Sequence, residues 1–161
     1  MKLKFLGPLA ILASFSTMAV ALADDSKVLT RTVLSSAGAK SLLNVAEAAA
    51  KQRSMKVSIA IVDASGRLLA FTRMDDSQTG TDETAIKKAR TAALYSSRGK
   101  VLAERVSQNQ AFLTTLPGIT AVPGSAPVMN GQYLIGAVGV SGATDDLDDA
   151  VATDTAGSFH P

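Results

Sequence analysis

Three glycines at intervals of three, Gly136, Gly139 and Gly142, lie in the run Leu134-Ile135-Gly136-Ala137-Val138-Gly139-Val140-Ser141-Gly142-Ala143-Thr144. The run has the pattern of a β-strand entering a small-residue turn and then a capped helix. Exposed N–H groups at such a helix start attract anions, so a phosphate cradle is one chemistry to weigh. The Gly-x-x-Gly-x-x-Gly spacing matches neither the dinucleotide fingerprint nor the P-loop, and a tightly packed strand-to-helix junction explains it more simply. Other chemistry is scarce. The chain has no cysteine and a single histidine, His160, next to the last residue. That composition argues against Ser-His-Asp and Cys-His catalysis and leaves a zinc site without ligands. Asp145, Asp146, Asp148 and Asp149 form an acidic cluster without an EF-hand loop around it, which reads as the solvated acidic start of a helix.

The N-terminus is read apart from the fold. Lys2 and Lys4 precede an almost wholly apolar or small stretch from Phe5 to Leu22, and Ala21-Leu22-Ala23 supplies an A-x-A site before Asp24. This is the pattern of a secretory signal peptide over residues 1–23, with a mature domain over 24–161 in the periplasm or outside the cell. Loss of Lys2 and Lys4 brings the 16 basic residues level with the 14 acidic ones. The mature chain is then near neutral, which removes the electrostatic basis for nucleic-acid binding, and no membrane segment remains after cleavage. About 138 residues make one ordinary domain without disulfides.

The elements follow from patterning. Lys27–Val33 alternates weakly, as a short edge strand or an arm. Ser35 is an N-cap candidate for a helix over Ser36–Arg53, with Ala39, Leu42, Leu43, Ala46, Ala49 and Ala50 as its buried stripe. Val57–Val62 and Arg67–Met74 form a hairpin around the Asp63-Ala64-Ser65-Gly66 turn, in which Asp63 has a turn role. Asp82 or Thr81 caps a second helix over Glu83–Ser97, with Ile86, Ala89, Ala93 and Leu94 buried and Lys87, Lys88 and Arg90 mainly on its other faces. A short helical piece is expected over Val101–Val106. Asn130-Gly131 signals a second hairpin, between Val128-Met129 and Gln132–Val140, and Thr144 caps a last helix. Helix, hairpin, helix, broken strand, hairpin and helix make an α+β domain with an antiparallel sheet.

The segments "SIAIVDASGRLLAFTRMDD", "AIKKARTAALYSS" and "PVMNGQYLIG" followed by "IGAVGVSGAT", in that order, resemble the GlcG/HbpS family of small haem-binding-like proteins, related to the C-terminal domain of PduO. The resemblance covers Val28 to the end. It implies a profilin-like antiparallel sheet with helices packed on it, a homo-oligomer, and haem as the possible cofactor. Haem-binding relatives use a histidine axial ligand, in many of them late in the first helix, near positions 49 to 51. This chain has Ala49, Ala50 and Lys51 there. The substitutes for the absent histidine are Met74, Tyr95, Tyr133 and Met129, since thioethers and phenolates ligate haem iron.

A pocket is expected near Arg73-Met74-Asp75 and the Gly136–Ser141 turn, so the ligand-binding candidates are Arg73, Met74, Asp75, Lys88, Gly139 and Ser141. Arg73 would hold a haem propionate or an organic acid, or instead close on Asp75, and Lys88 or Arg90 would add a second cation. Ser141 can also simply tie the glycine-rich turn. The leading reading is an exported, non-enzymatic module that carries or senses haem or a similar tetrapyrrole. The alternatives are an enzyme or binding protein for a small organic acid in a catabolic pathway, and a ligand-free oligomeric scaffold.

Overall fold

β-Branched, apolar Ser58–Asp63 (β1) turns back into Leu68–Arg73 (β2) because Asp63 Oδ1 accepts hydrogen bonds from the backbone N–H groups of Ser65 and Arg67, at 2.8 and 2.9 Å. Ser125–Asn130 (β3) and Tyr133–Ser141 (β4) form the second hairpin. Its turn is shifted by one residue from the expected Asn130-Gly131. Asn130 pairs with Tyr133, and Gly131, at φ +59°, takes the first central position while Gln132 stays at negative φ, the type II′ requirement. The computed structural model describes Lys27 and residues 29–160, and the expected leader over residues 1–23 lies outside them. The strands pair antiparallel in the order β2-β1-β4-β3, which places the glycine-rich strand in the centre of the sheet.

The helices cover both faces. Ser36–Gln52 (α1) starts where the Ser35 hydroxyl accepts the Gly38 N–H at 3.1 Å. It packs with Asp145–Gly157 (α4) over Val57, Ile59, Ile61, Val138 and Val140. Thr81–Tyr95 (α2) lies on the opposite face over Ala60, Val62 and Ala137, with Ala85, Ala89, Ala92 and Ala93 toward the sheet. Gly99–Ser107 (α3) and a 3₁₀ turn, Ala111–Thr115, complete the layer. The fold is the expected α+β arrangement, an antiparallel sheet with helices packed on it, in one compact unit from Arg31 onward. None of the helices among the described residues is long and apolar enough to cross a membrane.

Several local expectations are corrected. Of the edge strand or arm expected over Lys27–Val33, the strand does not form among the described residues. α2 begins at Thr81 behind Gly80, whose φ of +87° only glycine takes readily, so neither Thr81 nor Asp82 is its cap. Leu94 is half-exposed rather than buried, because the alanine stripe already fills the space between α2 and the sheet. Thr144 occupies the N-cap position of α4 without a capping hydrogen bond from its side chain. Asp148 in the first turn reaches back to the Gly142 and Ala143 N–H groups, ahead of the helix. Asp148 and Asp149 are therefore buried and not part of a solvated acidic face.

Candidate functional site

β2 ends where β1 starts and β4 ends: Ser58 pairs with Arg73 on one side and Ser141 on the other. Side chains of successive residues point to opposite faces, so this end of the sheet opens two clefts, one toward α1 and one toward α2. The predicted ligand-binding residues divide between them.

The first cleft, about 560 Å³, is framed by the last turns of α1 and the end of β2. Arg73, Met74 and Asp75 line it together with Glu47, Lys51, Met55 and Lys56. Met74 is half-buried, packed against the core, and its N–H donates to the Val57 carbonyl at 3.0 Å. Arg73 does not close on Asp75. Its Nε donates to the Ser77 hydroxyl and its Nη2 to the Ser77 carbonyl, both at 3.1 Å, so the guanidinium is oriented by neutral partners, and among the described residues no carboxylate forms an ion pair with it. Lys51 pairs with Glu47 at 2.6 Å, one helical turn away, and Lys56 approaches Asp76 only to 4.0 Å. A soft thioether beside three exposed cations can hold an amphiphilic anion: apolar body on Met74 and Met55, carboxylates on the cations. Lys51, Lys56, Met55 and Glu47 were not among the predicted residues. The available signal was Lys51, which stands in the late-α1 window where relatives carry the histidine and lines the same cleft as Met74.

The second cleft, about 460 Å³, holds Lys88 and Ser141 with Thr81, Thr84, Gly142, Asp145 and Asp148. Its cation is already engaged. Lys88, 3% exposed and not on an outer face of α2 as expected, donates to Asp148 Oδ2 at 3.1 Å and to the Val140 carbonyl at 3.0 Å. Asp148 also accepts the N–H groups of Gly142 and Ala143 at 3.3 and 3.1 Å. The anion cradle suggested by the glycine-rich turn is thus filled by the protein's own carboxylate. The Thr81 hydroxyl donates to the Gln78 carbonyl at 2.8 Å, leaving its oxygen to accept from Ser58 at 2.9 Å.

The remaining candidates line neither cleft. A Cβ on Gly139 would meet the α2 backbone, so that glycine serves helix–sheet packing. Arg90 donates to the Gly66 carbonyl at 3.1 Å and braces the first hairpin. Tyr95 donates its hydroxyl hydrogen to the Pro117 carbonyl at 2.6 Å, while Tyr133 and Met129 stand exposed at the second hairpin. His160 lines a small recess with Gly38, Ser41 and Leu42, at the opposite end of α1 from Lys51. Among the described residues no group of three or more His, Asp or Glu side chains is placed to hold a metal ion.

This fold and its two terminal clefts define a class. The chain belongs to the HbpS-like family: the family model described as "Haem degrading protein HbpS-like" matches residues 34–156. Among curated relatives, the protein GlcG of Escherichia coli K12 is 37% identical over 112 residues, covering 70% of this chain and 84% of GlcG. Among solved structures, a double mutant of Streptomyces reticuli HbpS superimposes with a TM-score of 0.78 at 28% identity, over 89% of this chain and 98% of that one. A crystal structure of a PduOC–haem complex gives a TM-score of 0.72 at 25% identity, over 80% and 96% of the two chains.

Proposed function

We propose that the protein is exported and binds haem, or a tetrapyrrole like it, in the cleft between the end of α1 and the end of β2, for carriage or sensing. The observation that carries this reading is the convergence of half-buried Met74 with Lys51, Lys56 and Arg73 around one opening of about 560 Å³. The residues fit the group without a histidine: Met74 offers a thioether to the iron, Met55 and Met74 offer apolar surface, and the cations offer partners for two propionates. The haem-complexed relative supports the same reading. The bound iron would supply any redox chemistry; this chain would orient the macrocycle and set the ligand strength. Tyr95 and Tyr133, engaged elsewhere or at the far hairpin, are not the ligands in this reading. A small organic acid is less well served, because Arg73 and Ser141 open onto different clefts and Lys88 is neutralised by Asp148.

Haemin titration followed by Soret absorbance tests the assignment. The wild type is expected to give a saturable shifted band. Met74→Leu, which conserves packing volume while removing the sulfur, is expected to alter the band and weaken binding about tenfold or more. A Met74→Leu protein with the wild-type spectrum and affinity would remove Met74 from the site.

Export carries its own prediction. The domain over residues 24–161 is expected to begin at Asp24 when recovered from the periplasm or medium, read by intact mass, and to run as a homo-oligomer in light-scattering-coupled chromatography. A cell-retained chain with residues 1–23 still attached would overturn the export assignment.

A further inference from the structure

The cleft between the starts of α2 and α4, about 460 Å³, shares no lining residue with the Met74 cleft. Its walls carry Gly80 and Thr81 from the start of α2, and Ala143 and Asp145 from just before and at the start of α4. Neither helix start is capped by a side-chain hydrogen bond, so both leave backbone N–H groups open to another acceptor. The independent sign of a ligand is Ser141, at the end of β4. It lines the same cleft at 7% exposure, and among the described residues its hydroxyl has no hydrogen-bond partner. The neighbouring hydroxyls are engaged: Thr81 donates to the Gln78 carbonyl and Thr84 to the Gly80 carbonyl. A buried hydroxyl is nearly always paired, and that of Ser141 is not among the groups sealed from solvent, so a molecule in the cleft can pair it.

Charge narrows the class. Lys88 is neutralised by Asp148 at 3.1 Å and has no charge left to offer an anion. In the first turns of the two helices Glu83 pairs with Lys87 and Asp146 with Lys100. The Asp145 carboxylate remains in the lining, and two helix N-termini, each equivalent to about half a positive charge, offset it. We propose that this cleft binds a small neutral polyol. One hydroxyl of the polyol donates to the Asp145 carboxylate, and another accepts from Ser141 and the open N–H groups. The lining has no aromatic and no large aliphatic side chain, so it does not suit a flat tetrapyrrole or an apolar tail. The site therefore stands or falls independently of haem binding.

The test is an amide-detected NMR titration of the full chain with erythritol, and with sodium lactate and ethanolamine as an anionic and a cationic comparison. Erythritol is expected to shift the Gly142 and Ala143 amides saturably, with a dissociation constant about tenfold lower than that of lactate or ethanolamine. Ser141→Ala, which removes only the unpaired hydroxyl, is expected to weaken erythritol about fivefold at an unchanged urea midpoint. Asp145→Asn keeps the shape and removes the offsetting charge, and is expected to strengthen lactate severalfold. Lactate or ethanolamine binding as tightly as erythritol to the wild type, a Ser141→Ala protein with wild-type affinity, or no saturable shift of these amides would each overturn the site.

Discussion

Replacing Asp148 by alanine is expected to cost about 3–5 kcal/mol of folding stability, read as a large fall in the urea midpoint at unchanged slope. The carboxylate has three tasks at once: it neutralises Lys88 at 3.1 Å and accepts the N–H groups of Gly142 and Ala143. Both side chains of the pair are under 5% exposed, so truncation strands an ammonium ion in the protein interior with the Val140 carbonyl as its remaining partner. The same reasoning predicts that the loss is mostly the penalty of the orphaned charge. The double variant Lys88→Met/Asp148→Leu is therefore expected to be less destabilised than Asp148→Ala alone. A loss below about 1 kcal/mol for Asp148→Ala would mean that the pair is solvated and that the glycine-rich turn is held by something else.

Gly139→Ala is expected to be worse tolerated than any other glycine substitution in the sheet, costing about 3 kcal/mol or preventing folding. A Cβ there would overlap the Ala85 carbonyl oxygen and stand 2.6 Å from the Ala89 nitrogen and 2.9 Å from its Cβ. These atoms belong to the body of α2, so relief requires lifting the helix and opening the contact of Ala85, Ala89 and Ala92 with the sheet. Gly131→Ala is the control: nothing lies within 4 Å of its Cβ, and only the positive φ of +59° penalises alanine, by about 1–2 kcal/mol. Equal urea midpoints for the two variants would contradict the close approach of α2 to β4.

These two residues also mark where sequence reasoning stops. The Ser35 cap, the Asp63 turn, the α1 stripe and the two hairpins were legible because each depends on residues within a few positions of one another. The burial of Lys88, Asp148 and Asp149 was not: each looks like surface charge until α2 and α4 meet at the end of β4. Gly139 looked like part of a binding turn because the sequence does not say that the backbone of α2 comes down directly onto β4 at that position. The Arg73-Met74-Asp75 cleft was legible in its contiguous part. Its other half, Glu47, Lys51, Met55 and Lys56, needed α1 to cross over β2, a contact across more than twenty residues that no local pattern encodes. Ser141 and Lys88 were grouped with Arg73 on the reasonable ground that all sit at one end of the sheet. Although Arg73 and Ser141 both stand in register with Ser58, Ser141 and Lys88 line the cleft walled by α2 and the start of α4, not the one that Arg73 lines.

The most direct test of haem binding at the α1–β2 cleft is the crystal structure of the haemin-soaked protein, with the iron located by its anomalous scattering. The iron peak is expected in the cleft lined by Lys51, Arg73 and Met74, within bonding distance of the Met74 sulfur. An iron peak outside that cleft, or a protein that takes up no haemin, would contradict it.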